Sequence, residues 1–133
     1  MSKKKILVVE DHPGSRMLLV DVLTFANYDV YEAGDGLEGI DMAKQHKPDL
    51  ILSDMGMPRL SGWEMVPKLK EDPELKHIPV VAITAFAMTG DREKAIELGC
   101  AGYISKPIEI RQIRQQVKDF LPKPQESSAA KTA

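Results

Sequence analysis

Short runs of apolar residues that stop abruptly at one or two polar residues recur along this chain. Uniformly apolar runs of about four to eight residues, separated by helical patterns, are typical of parallel strands covered on both faces. Parallel strands bring their carboxyl ends to one edge of the sheet, where open α/β sheets carry their binding sites. The polar residues that end the runs should therefore meet in one crevice: Glu10, Asp11, Asp54, Thr84 and Lys106.

Helical patterns alternate with these runs and predict five strand-and-helix units. The predicted strands are 5–9, 29–33, 50–53, 80–83 and 102–105, and the predicted helices are 14–25, 37–45, a segment from the end of the loop 55–62 to about 70, 89–98 and 109–120. The apolar positions near helical spacing are Met17, Leu18, Val20, Val22 and Leu23 in the first helix, Leu37, Ile40 and Ala43 in the second, and Met65, Val66 and Leu69 in the third.

The polarity of the strands predicts their order in the sheet. Strands 29–33 and 102–105 are the most polar, which suits the two exposed edges. Right-handed crossovers with short connections then favour the order 2-1-3-4-5. The predicted fold class is therefore α/β, with a doubly wound, five-stranded parallel sheet. Strands one and three become neighbours, which places Asp54 beside Glu10 and Asp11.

Composition and charge narrow the possible functions. We predict one domain over 1–121 and a disordered tail or linker remnant over 122–133, in a chain of 133 residues that is 43% hydrophobic. The net charge of −2 provides no field that attracts nucleic acid or a membrane. The first apolar run is too short for a signal peptide or a membrane span, so we expect a cytoplasmic protein. The single cysteine, Cys100, cannot form an internal disulfide.

The predicted crevice contains three carboxylates but only one amine. Two like charges about 4 Å apart repel by roughly 4 kcal/mol at an effective dielectric constant of about 20, and Lys106 can offset only one of them. Mg²⁺ typically takes one or two protein carboxylates and shares its other positions with water and a phosphate. We predict that Asp11, Asp54 and the backbone carbonyl of Gly56 bind Mg²⁺ directly, with Glu10 acting through water.

The same residues could support phosphoryl transfer. With Mg²⁺ present, the Asp54 carboxylate can act as a nucleophile toward phosphorus and form an aspartyl phosphate. Lys106 would neutralise developing charge, and the Thr84 hydroxyl would donate to a phosphoryl oxygen. Taken singly, Asp54 could merely begin a turn and Asp11 could cap the first helix. Their joint placement with Thr84 and Lys106 favours a site over these structural roles.

Over about residues 4–121 the chain resembles the bacterial response-regulator receiver domains, which belong to the CheY-like superfamily. The motifs that carry the resemblance occur in order at strand ends: Glu10-Asp11, Asp54 followed by Met-x-Met-Pro, Thr84-Ala85 and Lys106-Pro107. The segments 78–88 and 99–108 look especially like single-domain regulators related to DivK. The resemblance implies a flavodoxin-like fold and a cis bond between Lys106 and Pro107.

This resemblance implies a phosphorylation switch. A phosphohistidine on a histidine kinase or a histidine phosphotransfer protein would donate its phosphoryl group to Asp54. Thr84 would then move toward the phosphate and Tyr103 would turn inward, altering the surface of the fourth helix, fifth strand and fifth helix, where a downstream protein docks. The chain would catalyse only its own phosphotransfer and slow dephosphorylation, with a phosphate lifetime that Gly56 and Phe86 tune.

Three other interpretations remain beside this one. The chain could be a receiver domain excised from a hybrid histidine kinase or a multidomain regulator. An Mg²⁺-dependent phosphatase of the haloacid dehalogenase type needs a second aspartate two residues after the nucleophile, where this chain has Gly56. An interaction module that never accepts phosphate would not need the complete set of five groups.

A glycine-rich segment, residues 34–39, also matches the dinucleotide-binding fingerprint Gly-x-Gly-x-x-Gly. Asp35 and Glu38 would lie where a pyrophosphate should bind, and the segment follows the second strand rather than the first. We therefore reject nucleotide binding. The three histidines, His12, His46 and His77, lack metal-ligand spacing and are expected in surface or loop positions.

Overall fold

Five parallel strands and five helices alternate in the computed structural model, which describes residues 3–57, 59–84 and 91–121. The strands are β1 (Lys5–Val9), β2 (Asp29–Ala33), β3 (Leu50–Asp54), β4 (Val80–Thr84) and β5 (Gly102–Ser105). The helices are α1 (Pro13–Phe25), α2 (Gly36–His46), α3 (Gly62–Glu71), α4 (Asp91–Leu98) and α5 (Ile110–Phe120). The sheet order is β2-β1-β3-β4-β5, which confirms the predicted fold class and order.

The sheet separates two apolar cores. Alternate residues of β1 face opposite sides, with Leu7 and Val9 in one core and Ile6 and Val8 in the other. Helices α2, α3 and α4 cover the first core, and α1 and α5 cover the second. Every residue of β3 and β4 is buried, whereas β2 and β5 include exposed positions. The two-sided burial explains why the central strands are apolar up to the polar residues at their carboxyl ends. The mixed polarity of β2 and β5 is explained by their place at the edges of the sheet.

In α1, the apolar residues that are buried are not all those that the sequence predicted. Met17 is 63% exposed and Leu18 is 39% exposed, while Leu19 and Leu23 are buried. The sequence of α1 is apolar on consecutive positions, so its periodicity does not select one face. The helix buries a narrow stripe four residues apart. In α2, Leu37 is likewise exposed, because the buried face is formed by Gly36, Gly39 and Ala43.

Three of the expected features fall outside the described residues. They are the predicted start of the fourth helix at 89, the positions of Pro58 and Phe86, and the proposed tail at 122–133. Among the helices that the structure describes, none combines the length and apolar character needed to cross a membrane.

Candidate functional site

Three carboxylates come together at the carboxyl edge of the central strands. Glu10 and Asp11 follow β1, and Asp54 ends the neighbouring strand β3. One carboxylate oxygen from each lies within 4.8 Å of the others. Glu10 is 1% exposed and Asp54 is 8% exposed, while Asp11 lies open to solvent. The parallel strands thus bring together charges that are separated by more than forty residues in the sequence.

Lys106 reaches into this cluster from the end of β5. Its Nζ lies 3.0 Å from Glu10 Oε1 and 3.4 Å from Asp54 Oδ2. Its backbone N–H donates to the carbonyl of Thr84 at 2.8 Å, which ties the loop after β5 to the end of β4. Burial alone would lower the pKa of the Lys106 ammonium, but the hydrogen bond with Glu10 and the charge of Asp54 outweigh it and raise the pKa. The ammonium therefore stays charged at neutral pH.

The peptide bond that follows Lys106 is cis, as the resemblance implied.

Glu10 is the most enclosed of the three carboxylates, and both of its oxygens are occupied by protein donors. Oε1 accepts from Lys106, and Oε2 accepts from the backbone N–H of His12 at 3.1 Å. Burial raises the pKa of Glu10, and the negative charge of Asp54 adds to this effect against the opposing hydrogen bonds. Within the described residues, by contrast, the Asp11 carboxylate accepts no hydrogen bond. Asp11 is therefore the carboxylate that is most available to a cation.

The loop after β3 positions the Asp54 side chain and backbone. Asp54 Oδ1 accepts from the backbone N–H of Gly56 at 3.3 Å. The Met55 N–H donates to the carbonyl of Ile83, and its own carbonyl accepts from the Gly62 N–H at 3.0 Å. Gly56 itself is exposed, and a Cβ at this position would have no atom within 4 Å. The direct binding of a metal by its carbonyl stays a prediction.

Thr84 and Tyr103 lie on the two adjacent strands at the far side of the cluster. Thr84 ends β4 and is buried, and its register partner on β5 is Ser105. Tyr103 pairs with Ala82 and packs, partly buried, against the core under α3 and α4. Burial, and then the charge of Asp91, raises the pKa of the Tyr103 hydroxyl. Their roles as switch residues stay predictions.

An ion pair that the sequence did not reveal holds the loop after β3. The Arg59 guanidinium donates through Nε at 2.9 Å, and through its NH2 group, to Asp35 Oδ2. The other oxygen of Asp35 caps α2 by accepting from the Glu38 N–H at 2.9 Å. This backbone hydrogen bond and the Arg59 guanidinium lower the pKa of Asp35. The only signal in the sequence was the spacing of Asp35 and Glu38, which is typical of a helix cap.

Close packing explains the glycines in the rejected nucleotide motif. The Gly36 N–H donates to the Leu60 carbonyl at 2.9 Å, and a Cβ on Gly36 would lie 2.4 Å from that same oxygen. A Cβ on Gly39 would lie 2.9 Å from the sulfur of Met65. The N-terminus of α2 is thus covered by the loop that follows β3. Close packing therefore accounts for the glycines of this motif without a bound pyrophosphate.

The alternative that Asp11 caps α1 is wrong, because His12 is the N-cap of this helix. His12 Nδ1 accepts from the Ser15 N–H at 3.2 Å, which leaves the Asp11 carboxylate facing the cluster.

His46 stacks on Tyr31 with ring centroids 3.9 Å apart. Cys100 is buried between α4 and β5, and burial raises the pKa of its thiol to about 11.

Comparison with known proteins decides the family. Residues 6–118 match the model of the response regulator receiver domain. The chain belongs to this family. The polar-differentiation response regulator DivK of Brucella anthropi is 43% identical over 118 residues, which are 89% of this chain and 96% of that relative. The match bears out the resemblance to DivK-type regulators.

Solved receiver structures agree with this placement. The chemotaxis protein CheY4 of Vibrio cholerae has a TM-score of 0.86 and 26% identity, covering 90% of this chain and all of that one. The receiver domain of a sensor histidine kinase from Pseudomonas aeruginosa, with magnesium coordinated in its active-site cleft, has a TM-score of 0.82 and 27% identity. That alignment covers 90% of this chain and 98% of the other.

Membership of the receiver family makes the chain a CheY-like module of two-component signalling. Receiver domains bind Mg²⁺ at an acidic pocket, and Glu10, Asp11 and Asp54 form an acidic cluster at the edge of this sheet. The family supports phosphorylation-dependent signalling, with histidine kinases and downstream targets as the general classes of partner.

Proposed function

We propose that this receiver domain is a phosphorylation switch in a two-component phosphorelay and that Asp54 accepts the phosphoryl group. The observation that supports it best is the convergence of three carboxylates and the Lys106 ammonium at one sheet edge. Such a cluster is unfavourable for folding alone, because like charges repel in a partly desolvated site. It is favourable when a divalent cation and a phosphoryl group are bound there.

The donor set fits Mg²⁺. This ion prefers oxygen ligands in an octahedron at about 2.0–2.1 Å, which places opposite ligands about 4 Å apart. The carboxylate oxygens lie within 4.8 Å of one another, so small side-chain rotations can bring them to that spacing. We assign Asp11, Asp54 and the Gly56 carbonyl as direct ligands. Glu10 would act through a water molecule, because both of its oxygens already accept hydrogen bonds.

Phosphoryl transfer would proceed by displacement at phosphorus. A carboxylate oxygen of Asp54 forms the new bond to phosphorus, while the bond between phosphorus and the imidazole nitrogen of the donor breaks. The electron pair of the broken bond stays with the imidazole. Lys106 neutralises charge on the phosphoryl oxygens, and Thr84 donates its hydroxyl to one of them. Bound Mg²⁺ would supply further neutralisation and fix the orientation of these oxygens.

The output would follow from contacts that only the phosphorylated state makes. Thr84 and Tyr103 lie on the adjacent strands β4 and β5, so a displacement of one can be transmitted to the other. Helix α4 buries only Ala95, fewer residues than any other described helix. We therefore propose α4, β5 and α5 as the surface that changes and binds the downstream protein. The phosphodonor would be a histidine kinase or a histidine phosphotransfer protein.

The proposed domain extends over 1–121, and the proposed role is that of a switch rather than a multiple-turnover enzyme. Gly56 offers no general acid, so hydrolysis should be limited to slow loss of the phosphate from Asp54. Similarity to DivK regulators supports action in the cytoplasm as a separate regulator. Similarity to the receiver of a sensor kinase keeps an excised receiver domain as the second candidate.

Nuclear magnetic resonance with beryllofluoride, a phosphate mimic, tests this proposal. With Mg²⁺ present, the mimic should shift the amide signals of Thr84 and Tyr103 and those of α4, β5 and α5. Asp54→Asn should abolish these shifts, and Asp41→Asn, an exposed aspartate on α2, should retain them. Shifts confined to the loops around Asp54 would contradict the switch. Rapid hydrolysis of p-nitrophenyl phosphate that is lost in Asp54→Asn would instead favour a phosphatase.

A further inference from the structure

A basic cleft lies between the end of α1 and the outer flank of α5, separate from the acidic cluster. Its volume is about 370 Å³, and its lining residues are Ala26, Tyr28, Arg111, Arg114, Gln115 and Lys118. The three cations come from the flank of α5 that borders α1. The cleft shares α5 with the proposed output surface, but its other lining residues, Ala26 and Tyr28, lie outside α4, β5 and α5.

The three cations of this cleft form no ion pair with a carboxylate of the described residues. Within the described ranges, ion pairs are formed by Arg16, Lys47, Arg59 and Lys106. The nearby carboxylate of Asp119 accepts from the Gln115 amide at 2.9 Å. The cleft thus keeps three exposed cations on a protein whose net charge is −2.

The position of Arg111 is not explained by the stability of α5. It occupies the first turn of the helix, which contains no acidic residue, and the side chain of the N-cap residue, Glu109, makes no capping hydrogen bond. A cation there is unfavourable because the helix N-terminus already carries partial positive charge. Lys118 in the last turn is favourable for the same reason. The spacing of Arg111, Arg114 and Lys118 instead places the three cations along one face, over about 10 Å of helix axis.

One aromatic residue, Tyr28, lines the cleft, and a second, Phe25, is next in the sequence to a lining residue. Phe25, the last residue of α1, is 87% exposed and immediately precedes the lining residue Ala26. Tyr28 lines the cleft itself and is partly buried. Cations beside exposed aromatic rings suit a ligand that combines negative charge with an apolar group.

We propose that the basic cleft docks an acidic segment of a partner protein, with carboxylates opposite the three cations and an apolar side chain against Phe25 and Tyr28. Its short length fits a few carboxylates, whereas affinity for nucleic acid grows with the number of phosphates neutralised. The net negative charge of the chain further disfavours a long polyanion. This interaction is additional to the proposed switch and does not require phosphorylation of Asp54.

Fluorescence anisotropy with a labelled peptide that alternates glutamate and glycine around one tryptophan tests the cleft. The triple variant Arg111→Ala, Arg114→Ala, Lys118→Ala should weaken binding about tenfold or more. The control variant Lys44→Ala, Lys68→Ala, Lys76→Ala removes the same charge from exposed positions elsewhere and should change affinity less than about twofold. Equal losses of affinity in both variants would overturn the cleft as the docking site, because long-range charge alone would then explain binding.

Three further measurements separate the possible occupants. Phe25→Ala should weaken binding of the peptide although it changes no charge. Unchanged affinity would contradict the proposed apolar contact. Oligothymidylate of equal charge that binds the cleft as tightly as the peptide would overturn the proposal in favour of nucleic acid. Self-association in sedimentation that disappears in the triple variant would identify a second copy as the occupant and overturn it too. Asp54→Asn should bind the peptide normally, so failure of the switch and failure of the cleft are distinguishable.

Discussion

At the scale of single residues, the three carboxylates of the acidic cluster have different surroundings. Glu10 is buried and accepts hydrogen bonds from Lys106 and the His12 backbone. Asp54 is held by the Gly56 N–H and approached by Lys106, while Asp11 is exposed. From these differences we propose that Glu10 holds Lys106, that Asp54 accepts the phosphoryl group and that Asp11 binds the cation. The sequence analysis already favoured Asp11 over Glu10 as the direct ligand, but it could not show that both Glu10 oxygens accept hydrogen bonds from the protein.

Asp11→Asn tests this division. Removing one of three like charges should stabilise the metal-free protein by about 0.5–1 kcal/mol, since the repulsion involves an exposed group and is screened. Mg²⁺ at ten times its dissociation constant should stabilise the wild type by about 1.4 kcal/mol, and this gain should largely vanish in the variant. Thermal unfolding with and without Mg²⁺ measures both effects, with Asp41→Asn as the control. An undiminished Mg²⁺ effect in Asp11→Asn would exclude Asp11 as a ligand.

Two glycines near Asp54 should differ in how much stability the protein loses when each is replaced by alanine. A Cβ on Gly62 would lie 2.7 Å from the Asp54 carbonyl oxygen and 2.8 Å from the Met55 Cα, so the backbone that carries Asp54 must move. We expect Gly62→Ala to lower the free energy of unfolding by about 1–3 kcal/mol and to slow phosphorylation. Gly56→Ala meets no atom within 4 Å and should change stability by less than about 1 kcal/mol. Urea unfolding of the two variants compares them, and equal stability would show that the contacts at Gly62 relax without cost.

At the scale of elements, the loop after β3 is held against the N-terminus of α2. Arg59 pairs with Asp35, the N-cap of α2, and the Leu60 carbonyl accepts from the Gly36 N–H. The loop that follows Asp54 therefore depends on a neighbouring helix that supplies no residue to the acidic cluster. Periodicity predicted α2 and α3, the helix that follows the loop. It could not predict the ion pair between Arg59 and Asp35, because an exposed arginine in a loop has no pattern that identifies its partner.

The dependence of the free energy of unfolding on acidic pH tests the ion pair between Asp35 and Arg59. The lowered pKa of Asp35 means that its contribution is present above its unfolded value, near 3.9, and is lost as the pH falls through the folded value. Asp35→Asn keeps a capping oxygen and should cost about 0.5–1 kcal/mol at neutral pH, because Arg59 is largely exposed. The difference from wild type should disappear at strongly acidic pH. Chemical unfolding over a pH series measures this, and a constant difference down to the lowest pH would contradict a charge effect.

At the scale of the whole molecule, the sequence predicted the features that depend on the short apolar runs and on strand polarity. Strand polarity predicted β2 and β5 as the edges, and short right-handed crossovers favoured the order 2-1-3-4-5, which is also the order of the fold that the resemblance implies. The meeting of Glu10, Asp11 and Asp54 followed from that order. Prediction from the sequence failed where neighbouring positions were equally apolar, as at Met17 and Leu18, or where a contact depended on a loop. The basic cleft also required the structure, because its lining combines the end of α1 with one flank of α5.

Mass spectrometry of the protein after incubation with acetyl phosphate and Mg²⁺ tests the central claim most directly. The account predicts one added phosphoryl group on the peptide that contains Asp54. The addition should be absent in Asp54→Asn, absent when the metal is chelated, and present in Asp41→Asn. Folded wild-type protein that gains no mass, or gains it on another residue, would contradict the assignment of Asp54 as the acceptor.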